Sequence, residues 1–262
     1  MWDDKRKIVD ALVAAKDEPS YDLLACICWN HCCHGPIEAI AFQALEGRGK
    51  ASIPVLMEML RKGPATCTVG AAAKSLARMK EAPAFDEIVK RLGGDADPMF
   101  PMDIAGALVL FGDARAVPAL VRAMDIDAPP VPRKKKEGGR GRTVVVGAGE
   151  VEGLDLGTDG RAKARGRATL ALGEFDTKEA REALERGAAN PEIGGFCHAV
   201  LWRLTKDETA HGKAVAAAMH GDDPAAKGMI GPYLARIDHP NARFLLEEWK
   251  RSTEPKAPPK KK

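Results

Sequence analysis

Four of the chain's six cysteines and two of its six histidines fall within residues 26–35, CICWNHCCHG. Thiolate and imidazole are the soft ligands that suit zinc. On a helix, Cys28, His31 and Cys32 stand at i, i+3 and i+4 and share one face. A tetrahedral site needs a fourth ligand, for which Cys67 and His34 are the candidates. The same residues also read C-x4-C-H (Cys28, Cys33, His34), an uncommon haem-attachment spacing. Haem attachment would require export, and the opening MWDDKRKIVDALVAAKDEPS mixes acids with bases and lacks the apolar stretch of a secretory signal. Which chemistry applies depends on the element that holds these residues.

That element belongs to a repeat. Leu56, Ile88 and Leu120 are 32 residues apart, as are Ile53, Phe85 and Val117, and Leu60, Leu92 and Met124. Within each unit the apolar positions fall at i, i+3 and i+7, one face of a helix. Each such helix follows another amphipathic stretch ending in QALEG, SLARM or ALVLFG, so the unit is helix, turn, helix. One step back lie Leu24 and Tyr21, and two steps forward from Leu120 lies Leu184. Weaker copies are anchored near Val215 and Leu246, with Gly212 and Arg243 where the Val117 column would ask for an apolar residue. About seven pairs result. A single pair cannot bury its own apolar face, so neighbours must stack, and the fold class is an all-α solenoid over residues 1–250. With aromatics at only 5%, its core must be made of many small aliphatic contacts. No run of 18 apolar residues is present, which argues against a membrane span.

The register decides the cysteines. Cys28 lies 32 residues before Leu60 and so occupies a core column, where free cysteine behaves as a small apolar residue. Cys26 maps onto an exposed column, and Cys32 and Cys33 onto the turn between repeats. Cys28, His31 and Cys32 therefore stay only weak metal candidates. No metal and no cofactor are expected.

The stretch GDARAVPALVRAM (112–124), with Asp113 in the turn followed by Val117, Pro118, Leu120 and Arg122, resembles the short HEAT-like repeats of the phycobilisome-lyase type. The resemblance covers most of residues 4–250, although Gly49 and Ala82 stand where an acid is usual. It implies a right-handed superhelix whose second helices line a concave face. Most proteins with such repeats are binding modules, and a bilin-lyase type of enzyme is the third choice. A di-iron hydroxylase of this architecture would use His-Glu pairs, and none of the six histidines is followed by Glu.

Residues 125–160 interrupt the pattern, because their prolines and glycines exclude a helix. RTVVVGAGEVEGLDL within them could form a hairpin. The Lys/Pro-rich tail 251–262 reads as disordered. Arg133, Lys134, Lys135, Lys136, Arg140 and Arg142 could touch nucleic acid, but the insertion as a whole carries six bases and seven acids and the repeat body is neutral. A phosphate-tracking groove would be broadly basic. The function expected is therefore a non-catalytic scaffold for a protein partner, in a cytoplasm-like compartment that keeps thiols reduced. Its binding ridge would be the charged column Glu58, Lys90, Arg122, Arg186 and Glu248 on the second helices. Nucleic-acid binding through the insertion and tail is the alternative.

Overall fold

The structure, a computed structural model, describes residues 2–30, 36–63, 66–92, 101–127, 144–146, 149–151 and 160–254. Its helices gather into two compact units, Met1–Ala123 and Met124–Lys262. In each, helical pairs are layered one on the next, which is the α-solenoid arrangement.

The first unit runs α1 (Trp2–Ala15), α2 (Glu18–Asn30), α3 (Pro36–Gly47), α4 (Ile53–Lys62), α5 (Thr66–Arg78), α6 (Ala82–Leu92), α7 (Pro101–Phe111) and α8, which begins at Val117 and ends at Met124. Helices α1, α3, α5 and α7 form one layer, each against the next; α4 packs on α6, and α2, α4 and α6 bridge forward to α3, α5 and α7. The apolar columns explain this order. Leu24, Leu56, Ile88 and Leu120 have no exposed surface, and neither do Cys28, Leu60 and Met124 in the column beside them. Tyr21 and Ile53, the first two members of the Val117 column, are only half buried.

The turn between the helices of a pair also repeats. Lys16, Gly49, Lys80 and Gly112 all adopt positive φ, at 54°, 70°, 57° and 69°. Glycine takes this left-handed geometry freely, whereas lysine gives up about 1–2 kcal/mol. Lys80 offsets that cost by reaching into the next repeat, where its ammonium donates to the carbonyls of Leu110 and Phe111 at 2.5 and 3.0 Å. At the following turn the Asp113 carboxylate accepts from the Arg115 backbone N–H (2.9 Å) and from its guanidinium, which lies 4.6 Å from the centre of the Phe85 ring.

The second unit holds an antiparallel strand pair, β1 (Val144–Val146) and β2 (Gly149–Val151), with Val144 opposite Val151. Then come α9 (Gly160–Leu172), α10 (Lys178–Gly187), α11 (Gly194–Thr205), α12 (Glu208–His220), α13 (Pro224–Leu234) and α14 (Pro240–Thr253). Helices α9, α11 and α13 form one layer, and α12 packs on α14. Thr177 and Asp207 cap α10 and α12 by accepting from Ala180 N–H (3.1 Å) and Ala210 N–H (3.0 Å), each satisfying an otherwise orphaned donor.

Two sequence expectations need correction here. The last copy is anchored by Leu245, not Leu246: Ala242 and Leu245 are buried while Leu246 is half exposed. With the register moved by one, Ala242 fills the place that Arg243 seemed to leave polar, and Arg243 turns outward to Asp238 (2.6 Å). The tail is the other. Helix α14 continues to Thr253, three residues into the stretch 251–262. Among the described residues no helix is long and apolar enough to cross a membrane.

Candidate functional site

In the first unit, Glu58, Lys90 and Arg122 occupy the same register on α4, α6 and α8, and all three are exposed. They stand two residues beyond the buried positions Leu56, Ile88 and Leu120, about 200° round the helix. Glu58 is engaged by Lys62 one turn on, at 3.4 Å. Lys90 and Arg122 have no ion-pair partner among the described residues. In the second unit, Arg186 is exposed on α10, and Glu248 on α14 is half exposed with its carboxylate 3.3 Å from His220 Nε2. Two of the five charges, Glu58 and Glu248, are thus already paired, and with the last copy anchored at Leu245 the column position on α14 is Glu247 rather than Glu248.

Several other charges of the first unit join one repeat to the next. Arg78 donates to the Glu46 carboxylate through Nε (3.0 Å) and Nη2, and Ser75 Oγ adds a 2.6 Å bond. Burial alone would raise the Glu46 pKa; the bonds from Arg78 and Ser75, with the Arg78 charge, outweigh it and hold the carboxyl below its usual range. Arg48 likewise meets Glu18 and covers the Tyr21 ring, 4.8 Å from its centre. Glu46 and Arg78 also line a cleft of about 560 Å3 on the first-helix side, with Glu38, Phe42, Cys67 and Lys74. Sequence periodicity does not reveal this cleft, because its walls come from two different helices, α3 and α5.

The cysteine-rich helix is α2. Cys28 is fully buried there, and its carbonyl accepts from Thr68 Oγ1 at 3.2 Å. Burial, with the negative charge of Glu38 adding to it, pushes the Cys28 thiol pKa up. Burial also takes the Cys197 thiol up to about 12. Neither is a thiolate near neutral pH, so neither is a nucleophile. His31 and Cys32, with Cys33 and His34, lie outside the described residues, as do Arg133, Lys134, Lys135, Lys136, Arg140 and Arg142.

A polar cluster in the second unit went unread in the sequence. His198 on α11 and His211 on α12 face each other with their Nδ1 atoms 3.1 Å apart. The ring centres are 5.4 Å apart, so the two nitrogens lie almost on the line joining the rings. That is head-on hydrogen-bond geometry, one nitrogen donating and the other accepting. Burial lowers both pKa values; for His198 the positive charge of His211 lowers it further, while Asp207 and Glu185 only partly offset the drop at His211. Trp202, one turn from His198, is buried and packs against His239, with ring centres 5.4 Å apart and planes tilted by 52°. His239 Nδ1 accepts from the Asn241 N–H (3.3 Å), which leaves its Nε2–H to face Glu208 at 3.5 Å.

Residues 53–135, which take in α4 to α8, match the family model for HEAT repeats. That stretch carries HEAT repeats. The match is to HEAT repeats as such, and the lyase subtype stays a resemblance. A search of curated proteins finds no match. HEAT repeats generally mediate protein–protein interaction, and the exposed second-helix residues of α4, α6 and α8 all lie within the matched stretch.

Proposed function

We propose that this HEAT-repeat protein is a non-catalytic scaffold that binds a protein partner along its second helices, with Lys90 and Arg122 as the principal contacts of the first unit. One observation carries the reading: these two cations recur in one register, exposed and unpaired among the described residues, while Arg48, Arg78, Arg115 and Lys80 around them are already engaged within the chain. Desolvating a charge already paired within the chain gains a partner little, whereas an unpaired cation can steer and orient one. The partner surface is accordingly acidic. Glu58 is the flanking contact in the first unit; Arg186 and Glu248, expected from the sequence on the same ridge, are separate candidate contacts of the second unit.

The test is affinity capture with the parent chain and with Lys90→Glu/Arg122→Glu. A partner retained by the parent and lost from the variant, with circular dichroism unchanged, supports the ridge. Equal retention by both removes it. A salt titration against single- and double-stranded nucleic acid distinguishes the insertion's basic run, since phosphate binding weakens steeply as salt rises.

A further inference from the structure

The carbonyls of Met124, Asp125 and Ile126, where the chain leaves α8 for the insertion, are each bonded by a side chain that follows the insertion. Arg165 Nε donates to Met124 O at 2.9 Å and Nη2 to Asp125 O at 2.8 Å. Asn190 Nδ2 donates to Ile126 O at 2.8 Å. Arg165 is 1% exposed, the most buried cation among the described residues, and its third face meets the Glu192 carboxylate, itself 10% exposed. Asn190 is held in turn: its Oδ1 accepts from the N–H groups of Glu192 (3.0 Å) and Ile193 (3.3 Å), which fixes its amide with Nδ2 toward Ile126. The segment so gripped is a strained one, because Asp125 has φ 48°.

Ordinary repeats need no such device, since the next helix begins a few residues on. Here 128–159 intervene before α9 starts at Gly160. A helix C-terminus offers unpaired carbonyls and a partial negative charge, and a guanidinium can fork across two of them at once. A buried cation persists only when paired and fully bonded, which Glu192 and the carbonyls together supply.

We infer that Arg165, seconded by Asn190, is a latch that pins Met124–Asp127 onto the helices that follow the insertion, so that the second unit is complete without residues 128–159. The insertion is then a side branch: its content can change without disturbing the helices it leaves and rejoins.

Hydrogen exchange on the full chain tests this. In Arg165→Met, amides of 124–127 and 188–193 should exchange roughly tenfold faster or more through local opening, while α4–α6 keep their protection. Unchanged exchange at 124–127, or a rise spread evenly over the chain, overturns the latch. Should Arg165→Met fail to fold, Asn190→Ala removes the Ile126 bond and the two bonds that Oδ1 accepts from Glu192 and Ile193 but leaves the Arg165 bonds in place, and it should show the same local pattern at smaller size; no local change at 124–127 there also overturns it. Replacing 129–158 with a short Gly/Ser linker should leave 124–127 protected, and lost protection would refute the side-branch reading.

Discussion

In Met1–Ala123 the buried positions return at a fixed step, filled by Leu, Ile, Phe and Val, and among the described residues the buried polar groups are small hydroxyls, at Ser20, Ser52, Thr68 and Ser75, with one carboxyl, Glu38. In Met124–Lys262 the core is built from unlike pieces. It buries a guanidinium, and it sets glycine against aromatic rings, Gly166 against Phe196 and Gly231 against Trp249. A half-buried histidine pair joins α11 to α12. The first manner of packing repeats one kind of aliphatic contact from pair to pair. The second depends on particular pairs, each with one arrangement that fits.

The apolar columns of the first unit should give the largest effect when broken. Leu120→Ala empties a position with no exposed surface, and the expected cost is about 2–5 kcal/mol, read from urea unfolding. A loss below about 1 kcal/mol would mean that the columns are not the chief support of the first unit.

Next come two glycines that should respond with opposite sign. A Cβ at Gly231 would stand 2.4 Å from the Trp249 ring, so Gly231→Ala should destabilise the second unit by about 1–3 kcal/mol, despite the gain in helix propensity. At Gly106 in α7 the nearest atom is the flexible Lys74 Cε at 3.7 Å, and Gly106→Ala should stabilise by up to about 1 kcal/mol. Thermal melts of both variants decide it. Shifts in the same direction would erase the contrast.

The histidine pair gives the second unit a pH dependence. Both folded pKa values lie below the ordinary 6.5, so the unfolded chain binds more protons in mild acid. Stability is therefore complete above about pH 6.5 and declines as the pH falls below it. Unfolding followed at pH 7.5 and pH 5.5 should show the loss in the parent and less of it in His211→Gln. An unaltered pH dependence in that variant would exclude the pair as its source. Smallest of all, Lys90→Ala and Arg122→Ala should leave stability within about 0.5 kcal/mol, because both side chains are exposed and unpaired among the described residues.

What could be read from the sequence follows the same division. Leu24, Leu56, Ile88 and Leu120 announced themselves because apolar residues at constant spacing are a one-dimensional signal, and all four are buried. The Arg165 contacts bridge 40 and 41 positions across the insertion, a separation that no period contains. His198 and its partner His211 stand on successive helices, and their spacing of 13 is peculiar to the turn between them. The slip from Leu245 to Leu246 has a similar cause, since the weaker copies have shorter, irregular connections and adjacent leucines give no choice of register. The candidate ridge could be listed by column, but which of its charges are already occupied depends on rotamers.

The cross-repeat contacts of the first unit also have a mechanical meaning. Arg48 ties back to Glu18, Arg78 to Glu46, and Lys80 forward to Leu110 and Phe111, each link spanning about one repeat. Such an array behaves as a chain of similar rivets in series, each joining neighbouring repeats. Pulled from its N-terminus, it should yield one pair at a time and show a sawtooth of comparable force peaks. The first tooth should be the lowest, because α1 and α2 leave Ile8 and Leu23 more than half exposed and so have the least to lose on leaving.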